Sequence, residues 1–291
     1  MRHERSVPSG SLPLSYRRTA SFLPMSIIQR RYRVVRTLAD TLYGAVYVCH
    51  DDAQPDDTLV VLKHISLSRA INTINTINTP HPCSQQAPDD PRHEKSVTNA
   101  LHRAGGHRHV VRYRDDFTTG SELYFVQDYC AGGDLYSLVS LGEGKGTRRL
   151  SCSNATAVLA QVASGVAFLH AHDVAHRDLS LENVFLKDGK HDAKIADIWS
   201  LGVMLFILLT GSHLVSNAMT GLKTFQAMIS CGGVTFVLES WGVDTSEWGS
   251  VTDLLAGMLT VDPAKRWSIE QVLDHDALPA TSDDPMDMNL L

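Results

Sequence analysis

The stretch His176-Arg177-Asp178-Leu179-Ser180-Leu181-Glu182-Asn183-Val184-Phe185-Leu186 sets a polar loop directly before an apolar run. Val184, Phe185 and Leu186 read as a short strand, and the loop ahead of them carries a carboxylate at 178 and a carboxamide at 183. A polar surface loop entering a strand is one account of this stretch; a loop that carries chemistry is the other. Its neighbours help to decide. Upstream, the apolar run Val60-Val61-Leu62 ends on Lys63, and Leu123-Tyr124-Phe125-Val126 ends in a turn marked by Gly132-Gly133. Asn154 to His172 has Val158, Leu159, Val162, Val166 and Leu169 at helical spacing, which predicts an amphipathic helix.

Composition bounds the rest. With 291 residues and 43% hydrophobic content, the chain can bury a large core in one domain or two closely packed lobes. The formal charge of −6 conceals an asymmetry: residues 1–31 hold six Arg against Glu4, a net +5, which leaves −11 on the remainder. An acidic body argues against general nucleic-acid affinity. The basic leader fits a disordered regulatory tail, the expectation adopted here, and also a mitochondrial transit peptide. Five Cys at 49, 83, 130, 152 and 231 show no metal-type spacing and fit a reducing, cytoplasmic setting. The longest apolar stretch, Leu201 to Leu209, is far below the ~18 residues of a membrane span, so no span is expected. Ile71-Asn-Thr, Ile74-Asn-Thr and Ile77-Asn-Thr repeat in tandem before Pro80, so residues 70–91 are expected to form a mobile low-complexity insertion.

Taken together, these stretches resemble the eukaryotic protein kinase superfamily, of serine/threonine type and similar to its calcium/calmodulin-dependent or NIMA-related members. His176-Arg177-Asp178-Leu179 followed by Asn183 matches the catalytic loop H-R-D-L-x-x-x-N, and Val60-Val61-Leu62-Lys63 resembles V-A-I-K. The resemblance implies an α+β bilobal fold: a small β-rich lobe over 32–129, a mainly helical lobe over 130–278, and a short acidic tail at 279–291. It implies ATP and Mg2+ as cofactors, and a protein substrate or regulatory protein as partner. Asp178 would take the substrate hydroxyl proton, and Lys63 would grip the phosphates while pairing with Glu94. Adenine would meet the backbone at Asp128 and Cys130, with Gln127 at the back of the pocket, Asp134 near the ribose, and Leu38, Gly44, Val46, Val61 and Phe185 around the ring. Metal would be held by Asn183 and Asp197.

Departures from the family pattern weaken the enzyme. Ala39 and Thr41 stand where the phosphate-covering loop has its first two glycines, leaving Gly44 and Val46, and Ser180 stands where a charge-neutralising Lys is usual. The largest departure lies at Asp192-Ala-Lys-Ile-Ala-Asp197-Ile-Trp199-Ser200-Leu-Gly202. Read leftward, Asp197 ends the strand that delivers a magnesium ligand; read rightward, it opens a buried helix that follows the activation segment. The spacing of 19 positions from Asp178 suits the first reading. One side chain cannot occupy both places, and burial of the helix is expected to prevail over one exposed ligand. The activation segment, with its A-P-E element, is therefore expected to be missing, which leaves Arg266 without its usual acidic partner.

Overall fold

The computed structural model describes residues 27–54, 58–77, 91–139, 149–176, 178–187, 198–214 and 218–279. Two compact units emerge, one drawn from residues 1–91 and 114–127, the other from 92–113 and 128 onward. The leader and acidic tail, the repeat region beyond residue 77, Arg177 and Asp197 lie outside the described residues.

In the first unit, β-branched and aromatic residues alternate with polar ones, the period of a half-buried strand. The strands are β1 (Ile27–Ile28), β2 (Tyr32–Thr41), β3 (Gly44–Asp51), β4 (Leu59–Ser66), β5 (Tyr113–Thr119) and β6 (Glu122–Asp128). They form one sheet in the order β1-β2-β3-β4-β6-β5, and β1 to β4 pair antiparallel in sequence. The sheet curls until its two edges meet. Gln29 donates to Thr119 at 2.8 Å, Arg31 lies 3.5 Å from Asp115, and the rings of Tyr32 and Phe117 stack with centroids 5.6 Å apart. Inside the curl sit Tyr32, Cys49, Val60, Leu62 and Val126.

Arg31 fastens this closure. Its Nε and Nη2 donate to the two carboxylate oxygens of Asp51 at 2.6 and 2.8 Å, and its guanidinium lies over the Tyr32 ring at 4.8 Å. The Asp51 side chain is 1% exposed, and the hydrogen bond from Arg31 holds its pKa below the usual carboxylate range.

After β4 the chain enters α1 (Leu67–Ile77). The first repeats thus lie inside a helix, within the stretch from residue 70 expected as a mobile low-complexity insertion. Leu67, Ala70, Ile71, Ile74 and Ile77 recur every three or four positions, close to the helical period, and Ala70 is fully buried.

The second unit is helical: α2 (Pro91–Arg103), α3 (Leu135–Val139), α4 (Cys152–His170), α5 (Ile198–Thr210), α6 (Ala218–Cys231), α7 (Val234–Ser240), α8 (Val251–Met258) and α9 (Ile269–Leu273). Pro91 opens α2 at the position where a missing N–H costs nothing, and Leu101 packs on the helical core, so α2 groups with this unit. All five apolar residues predicted for one face of α4 are buried. Helix α4 is the one helix among the described residues long and apolar enough to cross a membrane, but eleven of its 19 residues are buried within the protein.

Helix α5 begins at Ile198, the residue after Asp197, and buries Leu201, Met204, Leu205, Phe206, Leu208 and Leu209. Trp199 and Val203 are half-buried against the same core. Gly202 lets α8 approach: a Cβ there would lie 2.8 Å from the Leu259 side chain. Arg266 is not left without partners. Its guanidinium covers Trp199 at 4.8 Å, and Nε and Nη2 donate to the carbonyls of Thr260 and Val261 at 3.0 and 3.3 Å.

Replacing Arg31 with Met leaves a buried carboxylate without its cation. The expected loss is about 2–3 kcal/mol, below the full 3–5 kcal/mol of a wholly buried pair because the guanidinium is one-third exposed. Asp51 is depressed in the folded state, so its contribution is complete above the ordinary carboxylate pKa and fades as pH falls through the lower folded value. Denaturant titrations from pH 7 to pH 3 should show a shallower acid loss in Arg31→Met than in the parent.

Candidate active site

The loop before the strand is built on buried leucines. Leu179 and Leu181 point into the helical core, and Leu181–Asn183 close into a 3-10 turn with the Asn183 N–H on the Ser180 carbonyl at 3.1 Å. This leaves Asp178 and Glu182 exposed and turns Asn183 back on the loop. The Asn183 carboxamide donates to the Asp178 carbonyl at 2.7 Å and to Asp178 Oδ2 at 3.0 Å. Asp178 is thereby oriented by the residue five positions on, with its other carboxylate oxygen directed to no partner among those bonds.

Val184 and Leu186 follow, 0% and 3% exposed, while Phe185 between them is 37% exposed. That alternation anchors the strand on the core and leaves Phe185 on its open side. The chain after β6 lies along it. Gly132 N–H donates to the Leu186 carbonyl, Leu186 N–H to the Gly133 carbonyl, and Leu135 N–H to the Val184 carbonyl, each at 2.8 Å. Asp134 and Phe185 are paired in this short ladder. A Cβ at Gly132 would lie 2.7 Å from the Leu186 carbonyl oxygen, and Gly133 has φ of +77°, so each glycine has its own reason to be there.

Asp134 is engaged at the start of α3. Its carboxylate accepts from the Ser137 N–H at 2.6 Å and the Ser137 hydroxyl at 3.0 Å. The sequence placed Asp134 beside a ribose without foreseeing this cap, although Asp followed three residues later by Ser at a helix start was the available signal. Cys130 is half-buried and forms no disulfide among the described residues, and Asp128 donates its N–H to the Arg112 carbonyl at 3.0 Å.

In the strand unit, the register sets Val46 opposite Lys63 and Val48 opposite Val61, so these four share one face of the sheet. Val60, Leu62 and Val126 share the opposite, interior face, which by alternation puts Gln127 on the side of Lys63. Leu38 lies in β2 near the hairpin, whose strands pair Ala39 with Val46 and Thr41 with Gly44, leaving Leu42 and Tyr43 as a two-residue turn. Gly44 has a packing reason beyond any phosphate: a Cβ there would run into the His64 carbonyl. Glu94 is half-buried on α2 in the other unit. Two groups of expected site residues are therefore assembled, Val46, Val61, Lys63 and Gln127 in one unit and Asp134, Asp178, Asn183 and Phe185 in the other.

For Mg2+, the described donors are few. Asn183 spends its amide nitrogen on Asp178, leaving its Oδ1 as a ligand, and no cluster of three His, Cys, Asp or Glu suited to a metal occurs among the described residues. Asp197, the second expected ligand, lies outside the described residues.

Comparison with known proteins finds one family. The model of the protein kinase domain matches residues 32–198 and again 189–278, so both matches claim 189–198. The CDPK-related protein kinase of Daucus carota is 27% identical over 247 aligned positions, covering 70% of this chain and 38% of that protein. The calcium and calcium/calmodulin-dependent serine/threonine-protein kinase of Lilium longiflorum is 29% identical, covering 58% and 38%. Serine/threonine-protein kinase SRK2E of Arabidopsis thaliana is 23% identical over 295 positions, covering 87% and 73%. The chain thus spans less than two fifths of the carrot and lily proteins and nearly three quarters of the Arabidopsis one. An alignment of 295 positions that covers 87% of 291 residues must contain several dozen positions with no counterpart here.

Substituting Gly132 with Ala forces the ladder apart at Leu186. The expected cost is about 1–3 kcal/mol, as for overpacking a tight interior, with faster amide exchange at Leu135 and Leu186. Calorimetry together with exchange at those two amides checks it.

Proposed function

We infer, since this chain belongs to the protein kinase domain family, that it binds ATP and directs the γ-phosphoryl group to serine and threonine hydroxyls of proteins. The observation that carries this reading is the Asp178–Asn183 hydrogen bond in a loop anchored by Leu179 and Leu181. In this reading the Asp178 carboxylate accepts the hydroxyl proton as the substrate oxygen attacks the γ-phosphorus and ADP leaves. Lys63, paired with Glu94, holds the phosphates. Adenine lies against the backbone of Asp128 and Cys130, with Gln127 behind it and Leu38, Gly44, Val46, Val61 and Phe185 as walls. Asp134 faces the ribose from the start of α3. Magnesium, when bound, neutralises charge on the phosphates, and Asn183 Oδ1 is the described donor for it. Domain limits at 32–129 and 130–278, a cytoplasmic setting and a protein substrate or regulatory protein partner belong to the same reading.

A second reading, a kinase-like binding module with little turnover, is favoured by one observation: two family matches overlap on 189–198. A single Asp197 would have to serve the magnesium site and the start of α5. Ser180 removes a further cation from the transferring phosphoryl group.

Phosphate transfer from Mg-ATP to a generic Ser/Thr protein substrate separates the two. The first reading predicts turnover that Asp178→Asn lowers by at least about a hundredfold, the scale of general-base catalysis. Equal rates in parent and variant would refute Asp178 as base, and nucleotide binding without turnover would establish the binding module.

A further inference from the structure

On the interior face of the sheet, directly behind Lys63, a column of stacked rings crosses the curl. Tyr32, Phe117, Tyr124, His64 and Tyr47 follow one another with centroid separations of 5.6, 4.8, 4.9 and 6.4 Å and interplanar angles of 3° to 26°. His64 in this column carries a short side-chain hydrogen bond: Nε2 meets Glu122 Oε2 at 2.6 Å. Glu122 is in turn held by the hydroxyls of Ser121 at 3.0 Å and Ser66 at 3.3 Å. Burial pushes the Glu122 pKa up, but the bonds from His64, Ser121 and Ser66 prevail and keep it below the usual carboxylate range, so the group is ionised at neutral pH.

The segment that His64 anchors carries Lys63 and adjoins the β2–β3 hairpin of the proposed nucleotide site. Lys63 precedes His64 and points to the other face, opposite Val46. Ser66 N–H donates to the Tyr43 carbonyl at 2.8 Å, which ties the end of β4 to the turn of the β2–β3 hairpin. Gly44, beside that turn, sits on the His64 backbone so closely that no side chain fits. Leu67 N–H donates to the Ser121 carbonyl at 2.9 Å, joining the same segment to the β5–β6 turn next to Glu122. Beyond the β2–β3 and β3–β4 pairing, these bonds hold the turn of a hairpin that lacks two of its usual glycines.

We propose that His64 and Glu122 are positioning residues that fix the β2–β3 hairpin turn relative to Lys63, and so set the affinity for nucleotide. The nucleotide part rests on the reading given above; the fixing of the hairpin does not. Three substitutions separate the hydrogen bond from the ring stack. His64→Phe keeps a ring between Tyr47 and Tyr124 and removes the donor, His64→Gln restores a donor without the ring, and Glu122→Gln keeps an acceptor without charge.

Amide exchange in the nucleotide-free full chain is read at Ser66, with Cys49 and Val60 as internal references in the same sheet, and affinity is read with a fluorescent N-methylanthraniloyl-ADP. His64→Phe and Glu122→Gln should speed exchange at Ser66 about tenfold, the scale of one charge-assisted hydrogen bond, and leave Cys49 and Val60 unchanged. Both should weaken the probe by about fivefold, and His64→Gln should recover most of each effect. Unchanged exchange at Ser66, or equal acceleration at all three amides, overturns the proposal, the latter by reducing the pair to general stability. Should the parent fail to bind the probe, the nucleotide reading falls, while exchange at Ser66 still decides whether the pair fixes the hairpin.

Discussion

Three backbone hydrogen bonds between residues 132–135 and 184–186 are the constraint on which the candidate site depends. They join the chain leaving β6 to the strand leaving the Asp178 loop, and both partners are already committed to the core through Leu135, Val184 and Leu186. Buried backbone groups must find partners, so once these residues are buried the two segments have little freedom in how they pair. Asp134 and Phe185 become neighbours as a result, and Asp178 is held against Asn183 a few residues upstream. Gly132 makes the ladder sterically possible, and Gly133 supplies the turn.

The strand unit solves a different problem. A small sheet has few apolar residues with which to build an interior, and here it curls so that its own edges meet around a stack of aromatic rings. Arg31 closes that curl by serving Asp51, Asp115 and the Tyr32 ring together. The interior face is thus filled by the unit itself, and the alternate residues, among them Val61, Lys63 and Gln127, are left on the other face.

Much of this was legible in the sequence, because local signals and tertiary demands agree. The apolar run ending at Lys63, the helical spacing of Val158 to Leu169 and the loop from His176 to Asn183 each sit on the element expected for them. What could not be read has physical causes. The curl brings Tyr32 to Phe117 and Arg31 to Asp115 across more than eighty residues, and no local pattern encodes such a closure. The Ile-Asn-Thr repeats looked like low complexity, yet a three-residue period is close enough to 3.6 to continue α1 from Leu67. From the sequence Gly44 has only a nucleotide-binding reason to be glycine, yet the His64 carbonyl already excludes a side chain there. Arg266 was expected to want an acid; Trp199 and two carbonyls supply its contacts instead.

The stretch 189–198 remains the centre of the account, since both family matches claim it and the relatives carry several dozen positions absent here. Helix α5, with six large apolar side chains buried from Leu201 to Leu209, starts at the residue after Asp197. On the proposal that Asp197 is spent on the start of that helix, a metal site retains Asn183 without its second protein ligand. The affinity for ATP measured with and without Mg2+ tests this most directly. Mg2+ should change the dissociation constant by no more than about threefold, because the metal gains little from the protein beyond what ATP already gives it. Tightening of about a hundredfold or more would contradict it, and would mean that the chain still presents a full pair of metal ligands.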